Sequence, residues 1–265
     1  EVMRGYSDHE DVEASGAESV RVEAEPKPPM NCDDRSENQH LADLGSQKSA
    51  KFSWSDLRWL AKRPTFWALA AQGFFGTFPW HVIAFWFFRY LEVDRGMAES
   101  QILVVMALAI VTMSAGNVVG GVLGDKAARR FVAGRIMLSI GAVFLGTALL
   151  WLTLRVPNDA FALFALMTGI TAFVIPIPGP NVLATLMQIT PANVRSTSAA
   201  VQSLMEGSGA SLAPFLAGVI AVRYGLSMAI GSISISAWLI CGMALGLALY
   251  TLRGDIRSSF ERQAA

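Results

Sequence analysis

Apolar and polar positions divide this chain sharply. From Glu1 to about Ala50 acids, serines and prolines dominate, and large apolar residues are too few to offset the entropy of ordering. Residues 1–50 are therefore expected to be a disordered acidic linker or tail on the cytoplasmic side. After a short segment at 51–64 come six apolar stretches, each long enough to cross a hydrocarbon layer of about 30 Å at helical rise. They are Thr65 to Phe88, Gln101 to Gly124, Ile136 to Leu154, Ala160 to Pro191, Ser196 to Val222 and Gly225 to Leu252. Five hold no Asp, Glu, Lys or Arg, and the other holds only Glu206, as expected where each charge in hydrocarbon is costly. The pattern predicts an all-α membrane protein with a six-helix bundle over 65–252 and a cytoplasmic tail at 253–265. The fourth stretch is long for one span, and Pro176, Pro178, Gly179 and Pro180 are expected to bend or interrupt it as a hinge.

Composition agrees: 53% of the residues are hydrophobic, 16% are charged and the mean hydropathy is +0.43, too apolar for one water-soluble core. The formal charge of zero conceals a division, because residues 1–50 hold twelve acids against five bases and the rest nine against sixteen. Twelve of those sixteen bases fall on the side where the chain starts, among them Lys51, Arg58, Lys62, Arg135, Arg195 and Arg253. Only Arg89, Arg95, Arg155 and Arg223 fall opposite, so both termini are expected in the cytoplasm. No basic-then-apolar leader precedes the polar head, so no signal peptide is expected, and further sequence upstream is. Ser53 to Lys62 reads either as an interfacial helix with a Ser cap and Trp54, Leu57 and Trp59 towards the headgroups, or as a loop. Two cysteines, Cys32 and Cys241, give no disulfide framework and no metal site. No cofactor is called for.

The second stretch ends with Gly116, Gly120 and Gly124 along one helix face, a spacing that lets a neighbouring helix approach closely. Gly121, Asp125, Lys126, Arg129 and Arg130 then resemble the cytoplasmic signature loop of the major facilitator superfamily, with Ala128 standing where that family usually has Gly. An acid followed by bases at a helix end can also pair locally or attract a facing helix N-terminus. Residues 179–219 are similar to the fourth and fifth helices of a superfamily half, with Arg195 in the short loop between them. No R-x-x-x-G pattern occurs between Ala160 and Gln188, and the acidic head is similar to the linker between halves, so the resemblance is to the carboxyl-terminal half. Residues 64–80 also resemble spinster-like members. The resemblance implies a 3+3 inverted repeat and a missing amino-terminal six-helix partner.

In that family substrate sits near the midplane, lined by the first helix of each repeat. By carry-over Gln72, Thr77, Trp80 and His81 on the first span, and Thr168, Thr171, Asn181 and Thr185 on the fourth, are cavity candidates, with Pro79 a further hinge. Each has a plainer reading: His81 as a packing residue, the fourth-span group as a kink satisfied by neighbouring helices. Glu206 is the one carboxyl inside a span. It either carries a coupling proton or meets a cation during transport, or else pairs with a base at the cytoplasmic edge such as Arg195.

The expected function is secondary active transport of a small organic solute or lipid-like molecule by alternating access. A membrane-embedded enzyme would need clustered nucleophiles, bases or ligands, and the spans offer one Glu, one His and the run GSGAS at 207–211. A non-transporting membrane receptor stands beside the enzyme as the alternative, while a channel with a pore loop and a nucleic-acid binder with a basic stripe find no support in the sequence.

Overall fold

The computed structural model describes residues 54–264, so the linker reading of 1–50 and the Ser53 cap lie outside the described residues. Among those described, every element is helical: α1 (Trp54–Ala61), α2 (Pro64–Arg89), α3 (Glu99–Arg130), α4 (Gly134–Leu154), α5 (Phe161–Val174), α6 (Pro178–Ile189), α7 (Arg195–Tyr224) and α8 (Leu226–Ala264). Five segments are long and apolar enough to cross a membrane: α3, α4, α5 together with α6, α7, and α8 as far as Leu252. The sequence predicted six. The remaining one is α2, whose 26 residues span about 39 Å at 1.5 Å per residue, but Gln72, Pro79 and His81 dilute its apolar character.

Several boundaries differ from expectation for local reasons. The fourth stretch separates into α5 and α6 because Pro176, Pro178 and Pro180 supply no N–H to the ladder. The chain tightens there instead: Ile177 N donates to the Val174 carbonyl at 3.3 Å and Gly179 N to that of Pro176 at 3.1 Å. The signature residues Gly121 to Arg130 are not a loop but the last turns of α3, and only Phe131–Ala133 connects to α4. Likewise α8 runs on as helix through most of the predicted tail. Segment α1 is helical, with Trp54 75% exposed and Leu60 fully buried, and Arg63 stacks on Trp59.

Helix α2 packs chiefly on α7 and α8, while α5 and α6 pack on α3 and α4, and α4 meets α8 between the two groups. The glycine face acts as the spacing suggests. A Cβ on Gly116 would strike the Phe173 carbonyl, one on Gly120 the Ile177 backbone, and one on Gly124 the Asn181 side chain. Glycines four apart on α3 thus meet residues four apart across the α5–α6 junction, and dispersion grows as the two backbones close up.

Helix α2 and its antiparallel neighbour α8 are fastened at both ends by carboxylates. At one end Asp255 of α8 accepts a hydrogen bond from Thr65 N at the start of α2 (3.2 Å) and meets Arg63 at 3.4 Å. At the other, Asp94, in the wide turn Tyr90–Asp94 that extends α2, accepts from Ser227 N at the start of α8 (2.8 Å). Each carboxylate satisfies a helix-start N–H and meets the positive end of the helix dipole, worth about 1 kcal/mol. Arg95 secures the same end: buried over the Phe164 ring, it donates to the Val156 and Pro157 carbonyls at 3.0 and 3.1 Å.

Candidate functional site

The helices enclose one side of a cavity of about 750 Å³, with walls from α2, α3, α4, the α5–α6 junction, α7 and α8. From α2 the four residues Gln72, Thr77, Trp80 and His81 line it. With Gly73 and Gly76 they spread over roughly half the circumference of α2, and the helix also packs on α8 and α7. Gln72 is only 8% exposed, and its Oε1 has no hydrogen-bond partner. Thr77 Oγ1 donates to the Phe74 carbonyl at 2.9 Å and lies 3.3 Å from the Glu206 carbonyl, a polar stitch between α2 and α7. His81 Nδ1 is 3.1 Å from the Thr77 carbonyl. A carbonyl only accepts, so Nδ1 carries the hydrogen and, in the neutral ring, Nε2 is left with a free lone pair.

Glu206 reaches the cavity from α7. Its Oε1 accepts from Gln202 Nε2 at 3.0 Å, one turn earlier on the same helix. It pairs with no basic side chain among the described residues. Arg195, the partner considered from the sequence, instead donates from Nε to the Thr190 carbonyl at 3.3 Å. Gly73 is what admits this pair, because a Cβ there would run into the Gln202 side chain.

The fourth-span candidates take another position. Pro176, Pro178, Gly179 and Pro180 line the cavity, but Thr168, Thr171, Asn181 and Thr185 do not. All four are buried among helices. Asn181 Nδ2 donates to the Gly120 and Ile177 carbonyls at 3.0 and 2.8 Å, and Thr185 Oγ1 donates to the Asn181 carbonyl at 2.8 Å. Thr171 Oγ1 donates to the Met167 carbonyl and lies 3.0 Å from Thr153 Oγ1 on α4. Asn181 and Thr171 thus tie helices together, the plainer reading of this group, while Thr185 bonds within its own helix and Thr168 Oγ1 has no partner. Pro79 is buried inside α2, outside the cavity wall.

Two lining residues on α8, Trp238 and Cys241, escaped the sequence reading. Both sit in a long apolar run, where nothing separates a cavity wall from ordinary packing; Trp238 at least breaks a run of small residues. Cys241 Sγ and Gln72 Nε2 crowd the same space, 3.6 and 2.9 Å from where a Cβ on Gly76 would stand. In the signature segment, Asp125 pairs locally with Arg135 at 2.8 Å, an exposed contact of small energetic worth. In the run 207–211, Ser208 and Ser211 each donate to the carbonyl four residues back, the usual bond of a serine inside a helix. Among the described residues no cluster of His, Cys, Asp and Glu is arranged to hold a metal.

Comparison with known proteins adds one finding. No curated protein matches the chain. The family model described as Major Facilitator Superfamily matches residues 15–214, beginning within the polar head and ending at Pro214 inside α7. With apolar spans, a helix pair closed on glycine and a cavity at mid-span, that match over well over half of the 265 residues places the chain in the Major Facilitator Superfamily, whose members are membrane transporters.

Proposed function

We propose that the chain is the carboxyl-terminal six-helix half of a twelve-helix secondary carrier, moving a small organic solute across a membrane by alternating access. The observation that carries this reading is the cavity itself. Its polar groups gather at mid-depth in an otherwise apolar bundle, where a polar group is costly unless another part of the protein or a ligand satisfies it.

Two further observations support a second bundle facing this one. In α3 and α7, which both contribute cavity wall, only 17% of the most apolar window is buried, against 44–50% in the other spans. Val118 and Val122 on α3, and Leu204, Phe215 and Val219 on α7, lie uncovered. A partner half seated on these two helices would close the cavity between the bundles. The packing also suits two interleaved triplets, since the leading helix of each triplet packs on the second and third of the other. Both termini on the cytoplasmic side, as the basic residues suggest, fit such a half, and the likeness of residues 64–80 to spinster-like carriers is a narrower form of the same proposal.

Gly207 provides the test. It lines the cavity, and a Cβ there meets nothing within 4 Å. Gly207→Phe should fill the void while leaving the protein folded and monodisperse, and Gly207→Ala should change little. In vesicles of cells expressing the full carrier, solute uptake should fall at least tenfold for Phe only. Undiminished uptake by Gly207→Phe would remove the cavity as the path.

A further inference from the structure

We propose that the cavity selects organic cations, with the Glu206 carboxylate as counter-charge and the ring of Trp80 as the face that receives the cationic head; this rests on the transport reading above. Among the residues lining the cavity Glu206 is the only carboxylate, and no Lys or Arg accompanies it. Its Oε1 accepts a hydrogen bond from the Gln202 amide, and no other donor reaches its carboxylate among the described residues. A carboxylate drawn out of bulk water is costly unless a positive charge arrives with the ligand.

Two of the neutral polar groups offer acceptors that an ammonium N–H could meet. Gln72 Oε1 is buried without a partner, so it is an acceptor waiting for a donor. The Nδ1 contact to the Thr77 carbonyl turns the neutral His81 ring into an acceptor at Nε2. Asn117, Ser203 and the indole N–H groups line the cavity too and can donate, so the carboxylate and the aromatic face, not the neutral groups, set the preference for positive charge. Indole rings add attraction for cations through their negative faces. Trp80 is 37% exposed, Trp238 on α8 is buried, and among the described residues neither ring is covered by one of the protein's own cations.

The test uses the purified full-length protein in detergent and three probes of similar size: benzyltrimethylammonium, neutral benzyl alcohol and anionic benzenesulfonate. Radiolabelled benzyltrimethylammonium should bind, and the other two should compete at least tenfold more weakly. Glu206→Gln should weaken the ammonium at least tenfold, whereas Glu206→Asp, which keeps the charge, should lose only a few-fold. Trp80→Leu should weaken it several-fold and Trp80→Phe should restore most of that. Equal competition by the alcohol or the sulfonate, unchanged binding by Glu206→Gln, or equal losses in the Gln and Asp variants would overturn the charge preference and leave the transport reading standing. Failure of all three probes to bind, together with unimpaired uptake by Gly207→Phe, would overturn both.

Discussion

The first span and the fourth contain similar ingredients, a proline within the apolar run and a few Thr and amide side chains, yet they use them in opposite ways. In α2 the helix passes Pro79 unbroken and turns Gln72, Thr77, Trp80 and His81 into the cavity. Across the α5–α6 junction the prolines face the cavity and the polar side chains turn away, Asn181 onto the Gly120 carbonyl and Thr171 onto Thr153. The difference follows from what lies behind each helix. Behind the junction, α3 offers a glycine face whose carbonyls are close enough to accept hydrogen bonds. On α2, Gln72 Oε1 has no hydrogen-bond partner. Polar groups inside a membrane protein thus divide between holding helices together and waiting for a ligand, and residue type alone does not say which.

The largest effect should come from breaking the seam behind the fourth span. Gly116→Val would drive a branched side chain into the Phe173 carbonyl, which cannot retreat without moving α5. The expected loss is about 3 kcal/mol or more, seen as loss of monodisperse protein or a sharp fall in unfolding midpoint in detergent. A matched pair of substitutions sharpens the contrast at smaller magnitude. Asn181→Leu removes donors from two buried carbonyls and should cost about 1 kcal/mol of stability. Gln72→Leu removes an acceptor that has no partner, so stability should change by less than about 0.5 kcal/mol while solute uptake falls. Equal destabilisation by the two would erase the distinction between the spans.

Much of the helical layout was readable because lipid imposes it: a chain without water must close its backbone hydrogen bonds locally, so apolar length marks helix. The period-four glycines likewise disclosed a close helix contact before any coordinates. Less legible was α2: the sequence predicts a span over Thr65 to Phe88, yet α2 is not among the five segments apolar enough to cross, since several residues that line the cavity lower its apolar character. The division of the fourth-span polar residues could not be read either, because Thr171, Asn181 and Thr185 show a cavity-like pattern and only the position of α3 and α4 decides their facing. On α7 a signal was available: Gln202 and Glu206, four apart, are neighbours on one helix face. On α8 none singled out Cys241.

Alternating exposure of the cavity is the central claim, and Thr77 is well placed to report it from mid-span. In the full-length protein with every native cysteine, Cys32 and Cys241 included, replaced by Ser, a Thr77→Cys thiol can be challenged with a membrane-impermeant maleimide from one face of sealed vesicles and then, separately, from the other. Labelling from both faces, abolished in each case by adding Gly207→Phe, is the predicted result. Labelling from one face only, or labelling that ignores the Phe plug, would contradict it.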